Sequence, residues 1–288
     1  MSTSVLFDAP GRRGRARNLL LTGVSALVLL AIAAWAALKL NEKGQFNPDL
    51  WAPFFTAEVW EVYLLPGLVG TLTAAVLGAI FALIFGAVFG IGRLSDHAWI
   101  RVPSAWIVEL FRAIPLLLLI FFIWFLAPDV FGGGDYALFA IVLGLTLYNG
   151  SVLAEVVRAG IQAIPKGQSE AGYALGLRKG GVMRLILLPQ GLTAMMPAVV
   201  SQLVVLLKDT ALGYFIVYVD LLNMGFKTLP SVYPGTKLIS AVVIAVIYIA
   251  MAMALSAFAH WLERRSRRSR KTTARPVVAP PAAGMGSV

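Results

Sequence analysis

The sequence predicts an all-α membrane protein with about six transmembrane helices, and three observations carry this prediction. Of the 288 residues, 59% are hydrophobic and only 13% are charged, about half the charged fraction of a typical soluble domain. The hydrophobic residues form long blocks instead of the short amphipathic periods of a soluble core. Most of these blocks approach or exceed the roughly 20 apolar residues that a helix needs to cross a bilayer.

Six stretches without Asp, Glu, Lys or Arg define the predicted spans. The third stretch is short, and residues Trp106–Leu110 would lengthen it if Glu109 and Arg112 lie near its interfacial end. Pro115 is predicted to kink this helix, because its ring removes a backbone donor. The six stretches are Asn18–Leu38, Val62–Gly92, Ala113–Pro128, Tyr136–Ala154, Leu185–Leu207 and Leu238–Leu262.

These spans divide the chain into five regions. Residues 1–17 and 263–288 are expected to be disordered, basic ends. Residues 18–40 are expected to be a retained helix, because this span is too long and too poor in a cleavage site for a signal peptide. Residues 41–61 form an external segment whose aromatic side chains suit the membrane interface. Residues 62–262 make up the main transmembrane domain.

The basic residues predict the orientation of the chain in the membrane. If the N-terminus is cytoplasmic, 18 of the 24 Lys and Arg residues lie on the cytoplasmic side and five lie outside, with Arg112 undecided. Six spans then return the C-terminus to the cytoplasm. The net charge of +10 is therefore interpreted as a topology signal. Nucleic-acid binding is not predicted, since no basic stretch is interleaved with a base-stacking module.

Several kinds of site are excluded by residue type. The chain has no cysteine, which excludes disulfides and thiolate metal sites. Its two histidines, His97 and His260, lack the spacing of a helical zinc motif, so no metal site is predicted. The sequence contains no GxxxxGK[ST] phosphate loop, so the chain is not expected to bind and hydrolyse a nucleotide by that route.

Two predictions concern packing. The second span carries small residues at every fourth position, which allows another helix to approach closely. These residues are Gly78, Ala82, Gly86 and Gly90. Residues Ala211–Val219 are apolar but too short to cross the bilayer, so they are interpreted as a re-entrant or outer-leaflet segment.

A charged segment that contains several glycines, residues 159–190, separates the fourth and fifth spans. Pro165 suits the first turn of a short helix, and Gly176 suits its left-handed stop. A second helix is expected to begin after Gly180–Gly181 and to meet Pro189 as it enters the fifth span. The segment is longer than a connection requires. It is interpreted either as a docking knuckle for a partner protein or as an amphipathic hairpin that rests on the membrane.

The same segment resembles the EAA motif of ABC-importer permeases. The spacing of the motif is kept, with a glycine in place of the second alanine. The matching residues are Glu170, Ala171, Gly172, Gly176, Ile186, Leu188 and Pro189. Other stretches resemble the polar amino-acid branch of this family, the histidine, glutamine and glutamate type. They are Ala154–Gln168, Ala174–Leu177, Leu188–Gln190, Lys208–Leu212, Gly67–Leu72 and Phe111–Pro115, the last with Ala-Ile where Gly-Thr is often seen.

This resemblance implies a type I ABC-importer permease core with an added N-terminal helix. The chain would be a transport subunit, not an enzyme, and would carry no cofactor, while ATP and Mg²⁺ would be bound by separate cytoplasmic ATPase subunits. A second permease subunit, identical or paralogous, and an external solute-binding protein would complete an importer of a polar amino acid, with glutamate or glutamine favoured. The segment would be the coupling helix that enters the ATPase. The implied coupling residues are Glu170, Ala171, Gly172, Tyr173, Ala174 and Gly176.

Polar residues at membrane depth are candidates for the substrate path, because an amino acid carries two charges into the bilayer. Asn149 is the first candidate, and Lys208 with Asp209 is the second. Alternatively, Asn149 bonds a neighbouring helix, and Lys208 and Asp209 cap their own. Glu155 and Arg158 are expected to form a structural ion pair at i, i+3 spacing. Residues of second rank, structural or functional, are Arg112, Pro115 and Pro189.

Two other functions are alternatives to an ABC permease. An ion-coupled secondary transporter would be expected to contain an inverted repeat with paired broken helices, and the sequence shows no such symmetry. A membrane scaffold without transport activity would leave the preserved motif spacing and the intramembrane polar residues without a role.

Overall fold

The protein is helical throughout the part of the chain that the structure, a computed structural model, describes, residues 11–271. The first four main helices are α1 (Arg12–Glu42), α2 (Ala57–Gly92), α3 (Ala98–Ala113) and α4 (Leu116–Phe131). The next four are α5 (Ala137–Gln162), α6 (Lys166–Ala174), α7 (Lys179–Ile216) and α8 (Lys237–Lys271). Within residues 11–271, five helices are long and apolar enough to cross a membrane, and the bent pair α3–α4 makes a sixth if it is one span. The predicted fold class is confirmed.

The predicted kink at Pro115 is a complete break. The chain turns by 99° between α3 and α4. Ile114 and Pro115 are both extended at this point, as expected for the residue before a proline. Residues Trp106–Leu110, which were expected to lengthen the third span, belong to α3 and run nearly perpendicular to α4, so they do not extend α4 as a straight helix.

Helix α5 lies at the centre of the bundle and packs against α2, α3, α4 and α7. The stripe of small residues on α2 forms the closest of these contacts. A Cβ atom added at Gly86 would lie 2.6 Å from the Cβ of Leu153, and one at Gly90 would lie 2.8 Å from the carbonyl oxygen of Ala154. Side chains larger than hydrogen would push the two helices apart, so the predicted close approach is confirmed.

After α7, residues 217–221 cross over the first half of α2. Residues Thr210–Ile216 continue α7 as a 3-10 helix, so most of the segment interpreted as re-entrant or outer-leaflet is the end of this helix. Val217 then adopts a left-handed conformation with φ of 58°, and the backbone passes over Gly70. A Cβ atom at Gly70 would lie only 1.9 Å from the carbonyl oxygen of Val219. The backbone N–H of Leu221 donates a 3.0 Å hydrogen bond to the Thr71 hydroxyl and fixes the crossing.

The external segment is folded against the bundle. It contains a short helix, Pro48–Trp51, and a 3-10 turn, Ala52–Phe55. The indole N–H of Trp60 donates a 2.8 Å hydrogen bond to the carbonyl of Phe54. Phe54 is buried in an apolar cluster with residues of the crossing segment and of α8.

Both ends of the described chain are more helical than the sequence suggested. Helix α1 begins at Arg12, within the region predicted to be disordered, and α8 continues to Lys271, beyond the expected end at residue 262. The rest of the predicted disordered ends, residues 1–10 and 272–288, lies outside the described residues. No residue in the apolar window of α1 is buried, which sets this helix apart from the core as an added one.

Candidate functional site

The charged segment, residues 159–190, contains the short helix α6 and the first turns of α7. The first predicted short helix is therefore a separate helix, whereas the second runs without a break into α7. Pro165 precedes the first residue of α6, and Gly176 ends the turn with φ of +80°. The backbone N–H of Leu177 donates a 3.1 Å hydrogen bond to the carbonyl of Gly172, and that of Gly176 donates a 2.9 Å bond to Tyr173. This pair of bonds satisfies the last carbonyls of α6 and requires a left-handed residue at position 176. This second helix begins at Lys179, so Gly180 and Gly181 lie within its first turn instead of before it.

Helix α6 presents an exposed surface that contains apolar side chains. Leu175 is 82% exposed and Tyr173 is 49% exposed. Among the implied coupling residues, only Gly172 is buried; the exposed ones are Glu170, Ala171, Tyr173, Ala174 and Gly176. Exposed apolar side chains on an ordered turn are typical of a protein–protein contact, because burying them against a partner removes apolar surface from water.

Gly172 has a packing role that the sequence did not reveal. A Cβ atom at this position would lie 2.7 Å from the Cδ1 of Ile186 and 2.9 Å from the Cγ2 of Val182. The glycine that replaces the second alanine of the motif therefore lets α6 lie directly on the first turns of α7. The side-chain amide of Gln190 on α7 also donates a 3.1 Å hydrogen bond to the side-chain oxygen of Gln168 on α6, which adds a second link between the two helices.

A lysine ties this segment to the end of α2. The Lys179 ammonium donates a 3.1 Å hydrogen bond to the carbonyl of Leu94 and forms an ion pair with Asp96. The hydrogen bond from Lys179 is the main cause that holds the pKa of the Asp96 carboxyl below its usual range. Leu94 also packs beside Met183 and Leu187 against a buried apolar cluster of α5 and α7. The segment is thus attached to α7 and α2, in addition to its covalent link to α5.

Glu155 is the centre of a charge network at the ends of three helices. Arg158 donates to Glu155 through Nε at 3.0 Å, which is the predicted i, i+3 pair. Arg93 at the end of α2 lies 3.1 Å from the same carboxylate, and Arg112 at the end of α3 lies 3.9 Å from it. Arg93 also bonds Glu109 at 2.9 Å. The network joins α2, α3 and α5, and the sequence did not predict the part that Arg93 plays in it.

Asn149 and Asp209 are brought together inside the bundle. Asn149 is fully buried, and its amide group donates to Asp209 at 3.4 Å. Gln202 donates a 2.7 Å hydrogen bond to the side-chain oxygen of Asn149. The three side chains form a polar link between α5 and α7. The sequence does not single out Gln202, because it lies within a long apolar block and belongs to no motif.

Lys208 lies on a different face of α7 from its neighbour Asp209. Its side chain is exposed in a groove of about 990 Å³ between α7 and α8, with Tyr248 and Phe226 on the same walls. It forms no ion pair with any side chain that the structure describes. These two candidates for the substrate path are therefore separated, with the Asp209 carboxylate inside the bundle and the Lys208 ammonium in the groove. No group of three or more metal-binding side chains occurs among the described residues.

The chain matches proteins of known type over most of its length. The model of the family "Binding-protein-dependent transport system inner membrane component" matches residues 82–268. The chain is 41% identical over 250 residues to the glutamate transport system permease protein GluD of Corynebacterium glutamicum, which covers 85% of this chain and 91% of that protein. It is 31% identical over 217 residues to the glutamate/aspartate import permease protein GltK of Escherichia coli O6:H1, which covers 71% of this chain and 93% of that protein.

The fold is also similar to that of a solved transporter. A crystal structure of an amino acid ABC transporter with histidines superposes with a TM-score of 0.63 at 28% sequence identity. The match covers 70% of this chain and 93% of that one.

Proposed function

Since the chain belongs to the family of binding-protein-dependent transport system inner membrane components, of the amino-acid ABC permease type, we propose that it is the permease subunit of an ATP-driven importer of a polar amino acid. Glutamate is the favoured substrate, because permeases of glutamate importers are among its relatives at 41% and 31% identity. The observation that carries the proposal is the exposed, glycine-terminated helix α6, which lies at the family's motif and offers Leu175 and Tyr173 to a partner.

Helix α6 is the coupling helix in this proposal. Its exposed residues enter a groove of a separate cytoplasmic ATPase subunit, and ATP and Mg²⁺ bind in that subunit. Glu170, Ala171, Tyr173, Ala174 and Gly176 line the contact. Gly172 acts from beneath by seating α6 on α7, as its contacts with Val182 and Ile186 support. Closure of two ATPases then moves two permease subunits as rigid bodies and alternates access to the substrate path.

The assembly contains more than one permease. A second permease subunit, identical or paralogous, pairs with this chain, and an extracytoplasmic solute-binding protein delivers the amino acid. Both termini are cytoplasmic, and Gly132–Asp135 lies outside, as the distribution of basic residues supports. This orientation places α6 on the cytoplasmic side, where an ATPase can reach it.

The substrate path involves the polar residues of α5 and α7. The Asn149, Gln202 and Asp209 link supplies hydrogen-bond donors and a carboxylate between the two helices, which suits the ammonium group of an amino acid once the helices separate. Lys208 supplies a positive charge in the adjoining groove, which suits a substrate carboxylate. Uptake by Asn149→Leu and Asp209→Ala variants, with assembly of the ATPase checked in parallel, tests these assignments. Wild-type uptake kinetics in both variants would contradict them.

Purification from a mild detergent, followed by identification of the bound subunits, tests the proposed function. An ATPase subunit is expected to remain with the chain. Vesicles that contain the complex, with the solute-binding protein and glutamate outside, should accumulate glutamate only when ATP is supplied inside. Uptake driven by an ion gradient without an ATPase would indicate a secondary transporter. A chain that binds partners but moves no solute would be a scaffold.

A matched pair of glycine variants tests the coupling helix. Gly176→Val forces a β-branched side chain into a left-handed conformation and should uncouple ATP hydrolysis from uptake while the spans stay inserted. Gly180 is also free of neighbours within 4 Å but is not left-handed, so Gly180→Val is the control and should transport normally. Normal transport by Gly176→Val would show that docking through α6 is wrong.

A further inference from the structure

Helix α3 has one buried face and one exposed apolar face. Ser104 and Val108 are buried, and Val108 has no exposed surface at all. On the opposite side, four apolar residues follow one another at spacings of three, four and four. They are Trp99, Val102, Trp106 and Leu110, with 75%, 47%, 74% and 55% of their surface exposed. This spacing places the four side chains along one stripe of the helix.

The direction of α3 places this stripe at the edge of the membrane. Helix α4 begins two residues after α3 and carries large exposed apolar side chains along its length, among them Leu118, Phe122 and Phe125. These side chains require lipid, so α4 runs through the bilayer. Because α3 is turned by 99° from α4, it runs close to the plane of the membrane at the level where α4 begins.

The contacts of α3 fix which membrane surface this is. Asp96, two residues before α3, pairs with Lys179 at the start of α7, and Lys179 follows directly on the exposed turn of α6. At the other end of α3, Glu109 bonds Arg93 at 2.9 Å and holds the helix against the end of α2. The apolar stripe therefore lies on the side of the bundle from which α6 projects.

We propose that α3 is an interfacial helix whose stripe of Trp99, Val102, Trp106 and Leu110 inserts into the boundary between lipid headgroups and acyl chains. A helix that lies in the membrane plane typically buries its apolar face about 5–10 Å into this boundary. Trp99 and Trp106 lie about two helical turns apart. They suit that depth because their rings are apolar and their N–H groups remain within reach of the headgroups. The stripe belongs to a helix that leads directly into α4, whose exposed apolar side chains require lipid, which is why lipid, and not a protein, is the inferred partner.

Spin labels at single cysteines test this inference, and the chain needs no prior removal of cysteines because it has none. Val102→Cys and Trp106→Cys are labelled in the full-length chain with its co-purified subunits, in vesicles of phosphatidylethanolamine and phosphatidylglycerol. Collision rates with oxygen, which concentrates among acyl chains, and with a water-soluble nickel chelate report the depth of each label. Both labels are expected at about 5–10 Å below the headgroup boundary.

Two further positions calibrate the measurement. Leu175→Cys on the exposed turn of α6 is the aqueous reference when labelled without an ATPase subunit, and Phe122→Cys on the exposed face of α4 is the reference in the bilayer. Oxygen-to-nickel ratios at positions 102 and 106 between these two references support the inference. Ratios equal to that of Leu175→Cys would overturn it. Loss of both kinds of collision at 102 and 106 would also overturn it, because a protein would then cover the stripe.

Discussion

Gln202 on α7 and Asn149 on α5 are joined side chain to side chain by a 2.7 Å hydrogen bond inside the bundle. Asn149 is fully buried and uses its other end to reach Asp209, so both functional groups of its amide are engaged. A buried amide satisfied in this way fixes how two membrane helices sit against each other. The interhelical role that the sequence left open for Asn149 is present in the structure, and any role in transport requires this link to open.

Replacing Asn149 by leucine should weaken the α5–α7 contact. The change leaves Gln202 and the Asp209 carboxylate without their partner, and a side-chain bond of this kind is worth about 1 kcal/mol in a membrane protein. We expect the midpoint of thermal unfolding in detergent, measured by tryptophan fluorescence, to be lower than that of the unmodified protein. Thr146→Val on the same helix is the control, because the Thr146 hydroxyl bonds only the carbonyl of Val142 in its own helix. Equal midpoints for the two variants would show that the link does not stabilise the bundle.

Gly70→Ala should disrupt the crossing of the chain over α2. The new methyl group would lie 1.9 Å from the carbonyl oxygen of Val219, and neither can rotate away, because the Cβ position is fixed by the α2 backbone and the oxygen belongs to the backbone of Val219. Overpacking of this kind costs about 1–3 kcal/mol. We expect reduced thermal stability and a lower yield of monodisperse protein on gel filtration. The neighbouring Val69 is 61% exposed, so Val69→Ala should behave like the unmodified protein. A Gly70→Ala protein of wild-type stability would contradict the close approach.

The sequence was sufficient for features that depend on local chemistry. Runs of apolar residues are long enough to identify the spans, and the four-residue repeat of glycine and alanine on α2 identifies a close contact. Gly176 could be assigned to a left-handed turn because few other residues adopt that conformation. The Glu155–Arg158 pair followed from helical spacing alone.

The rest depends on contacts between residues that are distant in the sequence. Gln202 reaches Asn149 across 53 positions, and no local pattern marks it. The separation of Lys208 from Asp209 follows from the rotation of α7 about its axis, which the packing of α5 and α8 decides. Pro115 indicated a kink, but the 99° turn also depends on where α3 packs against α2 and α5, which are distant in the sequence from Pro115.

Reversing the charges of Lys179 and Asp96 tests whether their pair transmits movement from α6 to α2. Lys179→Asp places two carboxylates together and should lower the amount of substrate moved per ATP hydrolysed in the reconstituted complex. Because the pair is largely exposed, the unfolding midpoint should change little. The double variant Asp96→Lys with Lys179→Asp should recover the ratio of transport to hydrolysis.

The neighbouring residue provides the control for this experiment. Arg178→Asp makes the same change of charge, and Arg178 forms no ion pair among the described residues. It should leave the ratio unchanged. If the double variant remains as poorly coupled as Lys179→Asp, the ion pair is not the element that connects the two helices.

The stability of the fold should depend on pH through Asp220, which lies in the connection between α7 and α8. One of its carboxylate oxygens accepts a 2.6 Å hydrogen bond from the backbone N–H of Asn223, and the other finds no donor among the described residues. Burial raises the pKa of Asp220 from 3.8 to about 7. Between these two values the folded protein holds a proton that the unfolded chain releases, so stability falls as the pH rises from about 4 to about 7 and then levels off.

Thermal unfolding in detergent measures this dependence over a range of about pH 5 to about pH 8, which brackets the pKa of about 7. Asp220→Asn keeps a side chain that can cap the turn at Asn223 but cannot ionise, so its midpoint should vary less with pH and should exceed that of the unmodified protein at the alkaline end. Asp135→Asn is the matched control, because exposed Asp135 also accepts a backbone hydrogen bond, from Ala137. It should keep the pH dependence of the unmodified protein. If Asp220→Asn also keeps that dependence, another group is responsible, and the buried carboxyl is ionised throughout the range.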